Sequence, residues 1–280
     1  MYLRPARLDD ALQALHARSA DPLAVIAGGT DVYPSLAGRT LTADVLDITA
    51  IAALRGIREA DDHWRFGATT TWSDVLAARL PAQFDGLRLA AREVGGMQVQ
   101  NSGTLAGNLC NASPAADGVP ALLALDAGVE LSSASGVRMV PLEQFIAAPR
   151  KTLRRADELV TALRVPKPRP GHVARGHFLK LGARRYLVIS IAMVGVVVEV
   201  QQGFVREARV AVGACSPVAC RLYELELALA GKPADAELGA FVKPAHLNGL
   251  TPIDDVRADA AYRREAAFTL VRRALSEACA

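Results

Sequence analysis

Apolar positions along the chain follow two rhythms, and these divide it into elements. Leu8, Leu12 and Leu15 recur at helical spacing, with Asp9 and Asp10 in the first turn where the helix dipole favours acids. The apolar run Leu23–Ala27 is too short for a helix and stops at Gly28-Gly29, which predicts a buried strand and a tight turn. Short strands are predicted at Val45–Ile48, Leu54–Ile57 and Trp64–Phe66. A helix capped by Thr71 or Ser73 runs through Leu80, and a second spans about Phe84 to Val94 until Gly95-Gly96 ends it. From Met97 to Asp117 neither rhythm appears, and the segment reads as a long loop. It holds no Lys, Arg or Glu, unusual for a solvated loop, and loops of this length generally serve a function. Periodicity resumes with a helix at Gly118–Leu125 and strands at Val129–Leu131 and Val137–Val140.

Three prolines between Val165 and Gly176 mark a linker, which places one domain at 1–168 and a second at 172–280. Beyond it, β-branched runs at His177–Leu181, Leu187–Val200 and Val205–Val212 predict an antiparallel meander that turns at Gln202-Gly203. Helices are predicted at Ala219–Ala230, Ala236–Val242 and Asp255–Ala278. Asp254 or Asp255 starts the last one, and Arg272-Arg273 stand near its C-terminal end.

Composition narrows the function. Of 280 residues 51% are hydrophobic, enough for a substantial core. The near balance of 32 basic and 29 acidic residues rules out a strong electrostatic case for nucleic acid, and no nucleic-acid partner is expected. The longest apolar stretch, Tyr186 to Val198, is broken by Ser190 and falls short of the roughly 20 residues that span a bilayer. The opening MYLRPARLDD has no apolar signal segment. Cysteines at 110, 215, 220 and 279 form no CxxC pair, so neither a disulfide framework nor a zinc or iron–sulfur site is expected, and the compartment reads as reducing and cytoplasmic. Cys215 and Cys220 read as small buried residues, and Asp61-Asp62 as a turn. The five histidines show no metal spacing. With no GxSxG, GxGxxG or Walker loop present, no catalytic residue and no metal ligand is assigned.

Two segments carry the remaining chemistry. In Val25-Ile26-Ala27-Gly28-Gly29-Thr30-Asp31 the paired glycines let successive backbone N–H groups converge on an anion, and Thr30 adds a hydroxyl. In Gly103-Thr104-Leu105-Ala106-Gly107-Asn108, followed by Asn111, Ser113 and Asp117, small residues admit a ligand close to the backbone. The side chains there supply neutral donors and acceptors, and Asp117 suits a sugar hydroxyl. Each segment alone reads as an ordinary turn or a self-satisfied loop. Together they point to a phosphate-bearing cofactor.

The ordered set AGGTD, TLAGN, NASPAAD and PALLAL resembles the FAD-binding (medium) subunit of the molybdenum hydroxylases, which include xanthine dehydrogenase, aerobic carbon monoxide dehydrogenase and 4-hydroxybenzoyl-CoA reductase. Glu158-Leu159-Val160, His177-Phe178-Leu179-Lys180 and Arg184-Arg185 extend the resemblance over essentially the whole chain. It implies an α+β fold: a two-part FAD-binding domain of the vanillyl-alcohol oxidase and p-cresol methylhydroxylase type, then a C-terminal domain with a three-stranded antiparallel sheet and a helical bundle.

It also implies roles. Val25 to Asp31 would line the FAD pyrophosphate, while Gly103, Thr104, Gly107, Asn108, Asn111 and Asp117 would hold phosphates, ribityl chain and adenosine. Gly95 and Gly96 would border the cofactor, Leu159 and Val160 would pack near a ring, and Lys180 would set a cation near the flavin. FAD would be non-covalent. Molybdenum cofactor and two-iron two-sulfur clusters would reside only on partner chains, a large molybdopterin subunit and a small iron–sulfur subunit, with electrons leaving to NAD, a quinone or another acceptor. Ala106 stands where the family usually has Gly, and Leu187 where many relatives carry an acid. The cysteine cluster of the 4-hydroxybenzoyl-CoA reductase flavin subunit is missing. The competing readings are a stand-alone FAD-dependent oxidase or dehydrogenase of the wider fold and a scaffolding domain without flavin. The first would need a substrate-binding constellation that the last 110 or so residues do not supply.

Overall fold

The computed structural model describes all 280 residues. The chain begins with a small lobe built on a three-stranded parallel sheet, in the order Tyr2–Leu3, Val45–Asp47, Ala24–Ile26. The helix Leu8–Ala17 covers it, burying Ala11, Leu12 and Leu15 as the leucine spacing predicts. A second lobe follows, on a five-stranded antiparallel sheet ordered Ile57–Glu59, His63–Gly67, Leu159–Pro166, Gly128–Ser133, Gly136–Pro141. The strand Leu159–Pro166 serves both lobes: Leu159 enters the core of the first and Val160 that of the second. This follows from side chains alternating across a strand.

Five short helices pack around the second lobe: Trp72–Ala77, Asp85–Glu93, Met97–Ser102, Leu105–Asn111 and Gly118–Ala124. Thr71 caps the first through a reciprocal exchange with Asp74. Every residue of Gly118–Ala124 is buried.

The third part is a sheet of three long strands, Val173–Leu181, Ala192–Gln201 and Phe204–Gly213, which turn at Gln202-Gly203 with positive φ at both turn residues. A two-residue fourth strand, Cys220–Arg221, pairs at its edge. Met193 and Val197 pack with the N-terminal core, whereas Val194, Val196 and Val198 face the C-terminal helices. The sheet is covered on both sides, and this explains why Ala192–Val198 reads as an unbroken apolar run. Close approach on the inner face depends on glycine. A Cβ on Gly195 would meet Pro120 at 2.6 Å, and one on Gly176 would meet Gln83 O at 2.3 Å.

Several expectations are corrected. Met97–Asp117 is not a loop: it contains the helices Met97–Ser102 and Leu105–Asn111, each too short to display a period of 3.6. Leu54 closes a single 3-10 turn, and its strand starts at Ile57. The middle strand of the meander begins at Ala192 rather than Leu187, because Leu187 adopts a left-handed φ of 51°. Arg221 belongs to a strand, so the helix expected from Ala219 spans only Tyr223–Leu229. The Ala236–Val242 helix is a 3-10 segment, Leu238–Phe241, and a second one follows at Pro244–Leu247. The last helix, Ala260–Cys279, is capped by Asp259; Asp254 also accepts from the N–H of its first residue, Ala260, while Asp255 accepts from Arg257 N in the loop before it. No helix is long and apolar enough to cross a membrane.

Candidate functional site

Between the two N-terminal lobes lies a cavity of about 620 Å³, the size of a small-molecule or cofactor site. Its floor is the turn that follows strand Ala24–Ile26. No hydrogen bond is made by the main-chain N–H of Ala27, Gly28, Gly29, Thr30 or Asp31. Successive N–H donors without acceptors in a concave turn form an anion-binding nest. Gly29 has φ 68°, which lets the backbone reverse there, and a Cβ on it would strike the Tyr33 ring at 2.4 Å.

The opposite wall is the segment around Gly103, Thr104, Gly107, Asn108 and Asn111. Thr104 accepts from Gly107 N and so starts the helix Leu105–Asn111. The two glycine segments touch backbone to backbone: a Cβ on Gly28 would lie 1.8 Å from Ser102 O and 3.0 Å from the Gly103 Cα. A residue larger than glycine at position 28 would force the segments apart. Asn108 Oδ1 is buried and has no hydrogen-bond partner, a polar group at the wall whose capacity the protein leaves unfilled. Apolar closure comes from Ile48, Trp72, Val94, Val99, Leu159 and Val160. A free run of N–H donors, an unpaired amide oxygen and an apolar wall are the donor set that a diphosphate-linked dinucleotide such as FAD requires.

Of the residues singled out in the sequence, Val25, Ala27, Gly28, Gly29, Thr30, Asp31, Gly103, Thr104, Gly107, Asn108, Asn111, Leu159 and Val160 line this cavity. Five do not. Ile26 is buried beside the turn, because its side chain falls on the inward face of the strand. Gly95 and Gly96 lie just beyond Val94. Gly95, with φ 54°, terminates the helix Asp85–Glu93, and Gly96 precedes the next one.

Asp117 and Lys180 are bound to each other instead. Lys180 Nζ donates to Asp117 Oδ2 at 2.7 Å, and Ser190 Oγ donates to Asp117 Oδ1 at 2.6 Å. Both carboxylate oxygens are engaged, and the pair joins the second lobe to the C-terminal sheet. Burial pushes the Asp117 carboxyl above its ordinary range, with Lys180 and Ser190 acting against that.

Sequence reading missed a third wall. The hairpin Ile146–Ala148 with Lys151–Thr152 brings Arg150, Thr152 and Arg154 to the cavity. Arg154 donates to Glu158 O at 2.7 Å and to Arg155 O at 3.1 Å. The only signal available was the basic run Arg150-Lys151 and Arg154-Arg155, which has the look of a solvated loop.

Comparison with known proteins agrees with this geometry. Residues 1–168 match the family model described as the FAD binding domain in molybdopterin dehydrogenase, and residues 177–278 match the CO dehydrogenase flavoprotein C-terminal domain. The chain is 30% identical to the xanthine dehydrogenase FAD-binding subunit of Escherichia coli O157:H7, covering 100% of this chain and 96% of that one. It is also 30% identical to the glyceraldehyde dehydrogenase medium chain of Sulfolobus acidocaldarius, over 99% and 97% of the two chains. A solved carbon monoxide dehydrogenase from Hydrogenophaga pseudoflava superposes with a TM-score of 0.89 at 29% identity, covering 100% of this chain and 98% of that one. The chain belongs to the family of FAD-binding domains of molybdopterin dehydrogenases, here joined to the flavoprotein C-terminal domain of CO dehydrogenases.

Proposed function

We propose that this chain is the FAD-binding electron-transfer subunit of a multi-subunit molybdenum hydroxylase. One observation carries the reading: the unpaired N–H groups of Ala27–Asp31 lie at the floor of a 620 Å³ cavity whose far wall is the second glycine segment. In this reading the nest holds the diphosphate, with Gly28 letting the Ser102–Gly103 backbone close over it. Thr104, Asn108 and Asn111 take the hydroxyls. Leu159, Val160 and Trp72 exclude water from the ring. FAD held there non-covalently would supply the redox chemistry that links an iron–sulfur partner to an electron acceptor.

The partners are a large molybdopterin chain and a small iron–sulfur chain. Support comes from the relatives, named as subunits or medium chains of dehydrogenases. NAD, a quinone or another molecule takes the electrons. We place the complex in the cytoplasm, in keeping with four unpaired cysteines. We also propose domains at 1–168 and 172–280. The prolines at 166, 168 and 170 support that division.

The test is the visible spectrum of the purified chain, followed by acid precipitation and mass analysis of the released chromophore. FAD in the supernatant is the expected result. A colourless chain that does not take up added FAD, alone or with its co-purifying partners, would refute the reading.

A further inference from the structure

Two residues other than glycine adopt left-handed backbone conformations side by side: Arg150, which lines the cavity, and Ala112, which follows the lining residue Asn111. Ala112 has φ 47° and Arg150 has φ 60°. Arg150 N donates to Ala112 O at 2.8 Å, so the two unfavourable conformations are bonded to each other. Non-glycine residues are strained in this region, and such outliers concentrate where a site must be held in one geometry. The Arg150 guanidinium is fastened as well: its Nη1 donates to Asn111 O at 3.3 Å and also to Asn111 Oδ1. Only one edge of the fork is engaged, which leaves Nε and Nη2 without partners.

The charge around the cavity is lopsided. Its wall carries the two guanidinium groups of Arg150 and Arg154 against the single carboxylate of Asp31. Both arginines use only Nη1, Arg154 on the Glu158 and Arg155 carbonyls of its own segment; Arg150 is the one fastened across to Asn111 of the glycine-segment wall, with its free donors held there. A planar fork fixed by one edge and free along the other is suited to phosphate oxygens.

We propose that Arg150 is a binding residue for the diphosphate of the bound dinucleotide, reaching it from the hairpin wall and setting the preference for phosphate-bearing over phosphate-free flavins. This rests on the reading of the cavity as an FAD site. The strained Ala112–Arg150 pair holds the guanidinium in place before the ligand arrives, so little side-chain entropy is lost on binding.

The experiment titrates FAD and riboflavin into the flavin-stripped full chain, with any partner chains that accompany it, and follows flavin fluorescence at two salt concentrations. Arg150→Gln is expected to weaken FAD about tenfold, the loss of one exposed charge-assisted contact, and to reduce the salt dependence of FAD binding. Riboflavin affinity is expected to stay as in the wild type. Arg150→Lys is expected to recover part of the FAD affinity, because it keeps the charge and loses the fork.

Three results would overturn the proposal. An equal loss for FAD and riboflavin would show that Arg150 only holds the hairpin. Unchanged FAD affinity in Arg150→Gln would remove it from the site. Unchanged FAD affinity together with weaker binding of ADP to the FAD-loaded chain would assign it to a second ligand. Failure of the wild-type chain to bind any flavin would instead refute the reading of the cavity itself.

Discussion

Replacing Gly28 by alanine tests the contact on which the whole cavity depends. The added Cβ would stand 1.8 Å from Ser102 O and 2.5 Å from the Ser102 carbonyl carbon. An ordinary carbon–oxygen contact begins above 3 Å, so the two segments must separate by more than about 1 Å. Ser102 cannot yield by itself. Gly103 N is bonded to Val99 O at 2.6 Å, Gly103 O accepts from Trp72 N at 3.2 Å, and Leu105 N donates to Thr70 O at 3.1 Å. Relief therefore comes from moving one lobe against the other or from breaking these bonds.

Overpacking of this kind costs about 1–3 kcal/mol, which for a chain of this size lowers Tm by several degrees. The effect on ligand is larger. A shift of that size takes two nest N–H groups out of reach of a phosphate, and each charge-assisted bond is worth about 1.5–3 kcal/mol. Together they predict a loss of FAD affinity of at least about a hundredfold. The assays are a thermal melt of the flavin-free chain and a fluorescence titration with FAD. Gly249→Ala is the control: nothing lies within 4 Å of its added Cβ, and its melt should match the wild type. A Gly28→Ala chain with wild-type Tm and wild-type FAD affinity would refute the packing of the two glycine segments.

Two further outcomes are expected. Asp117→Asn leaves Lys180 buried without its counter-ion, at a cost of about 3–5 kcal/mol in urea unfolding of the flavin-free chain. Adding Lys180→Met should restore part of that, and a single variant as stable as wild type would dismiss the ion pair as a tie between lobe and sheet. Asp255 is held at about 2 by the backbone N–H of Arg257, helped by the Arg263 and Arg257 side chains, against an ordinary value of 3.8. Folding thus favours its ionised form. The stabilisation is present above about pH 4 and is lost as the pH falls from there towards 2. The stability difference between wild type and Asp255→Asn should shrink across that interval, and a difference constant with pH would contradict it.

How far the sequence could be read depended on the length of each signal. Leu8, Leu12 and Leu15 span enough turns to show one helix face, and the strands on either side of Gln202-Gly203 are long enough to show their turn. The helices Met97–Ser102 and Leu105–Asn111 span six and seven residues, and their lack of charge hides any polar face. The glycine turn at Gly28-Gly29 was legible because only glycine suits its conformation and its contact. That Asp117 and Lys180 stand outside the cavity lining was hidden for a different reason. Their partners are each other, 63 positions apart, and no local pattern records a tertiary ion pair. Arg150 was overlooked because an arginine in a basic loop carries no mark of the tertiary contact that ties it to Asn111.

The central sheet, covered on one side by the N-terminal helices and on the other by its own, bears on how such chains can be recombined. The N-terminal match ends at residue 168 and the C-terminal one begins at 177, as if two cassettes had been joined. Yet Ala174, Phe178, Met193, Val197 and Ala211 from the second complete the hydrophobic interior of the first. The glycines at 86, 176 and 195 are cut to fit the facing backbone. A chimaera spliced at the prolines would inherit a mismatched seam unless both sides came from one parent, so the two cassettes can be exchanged only together.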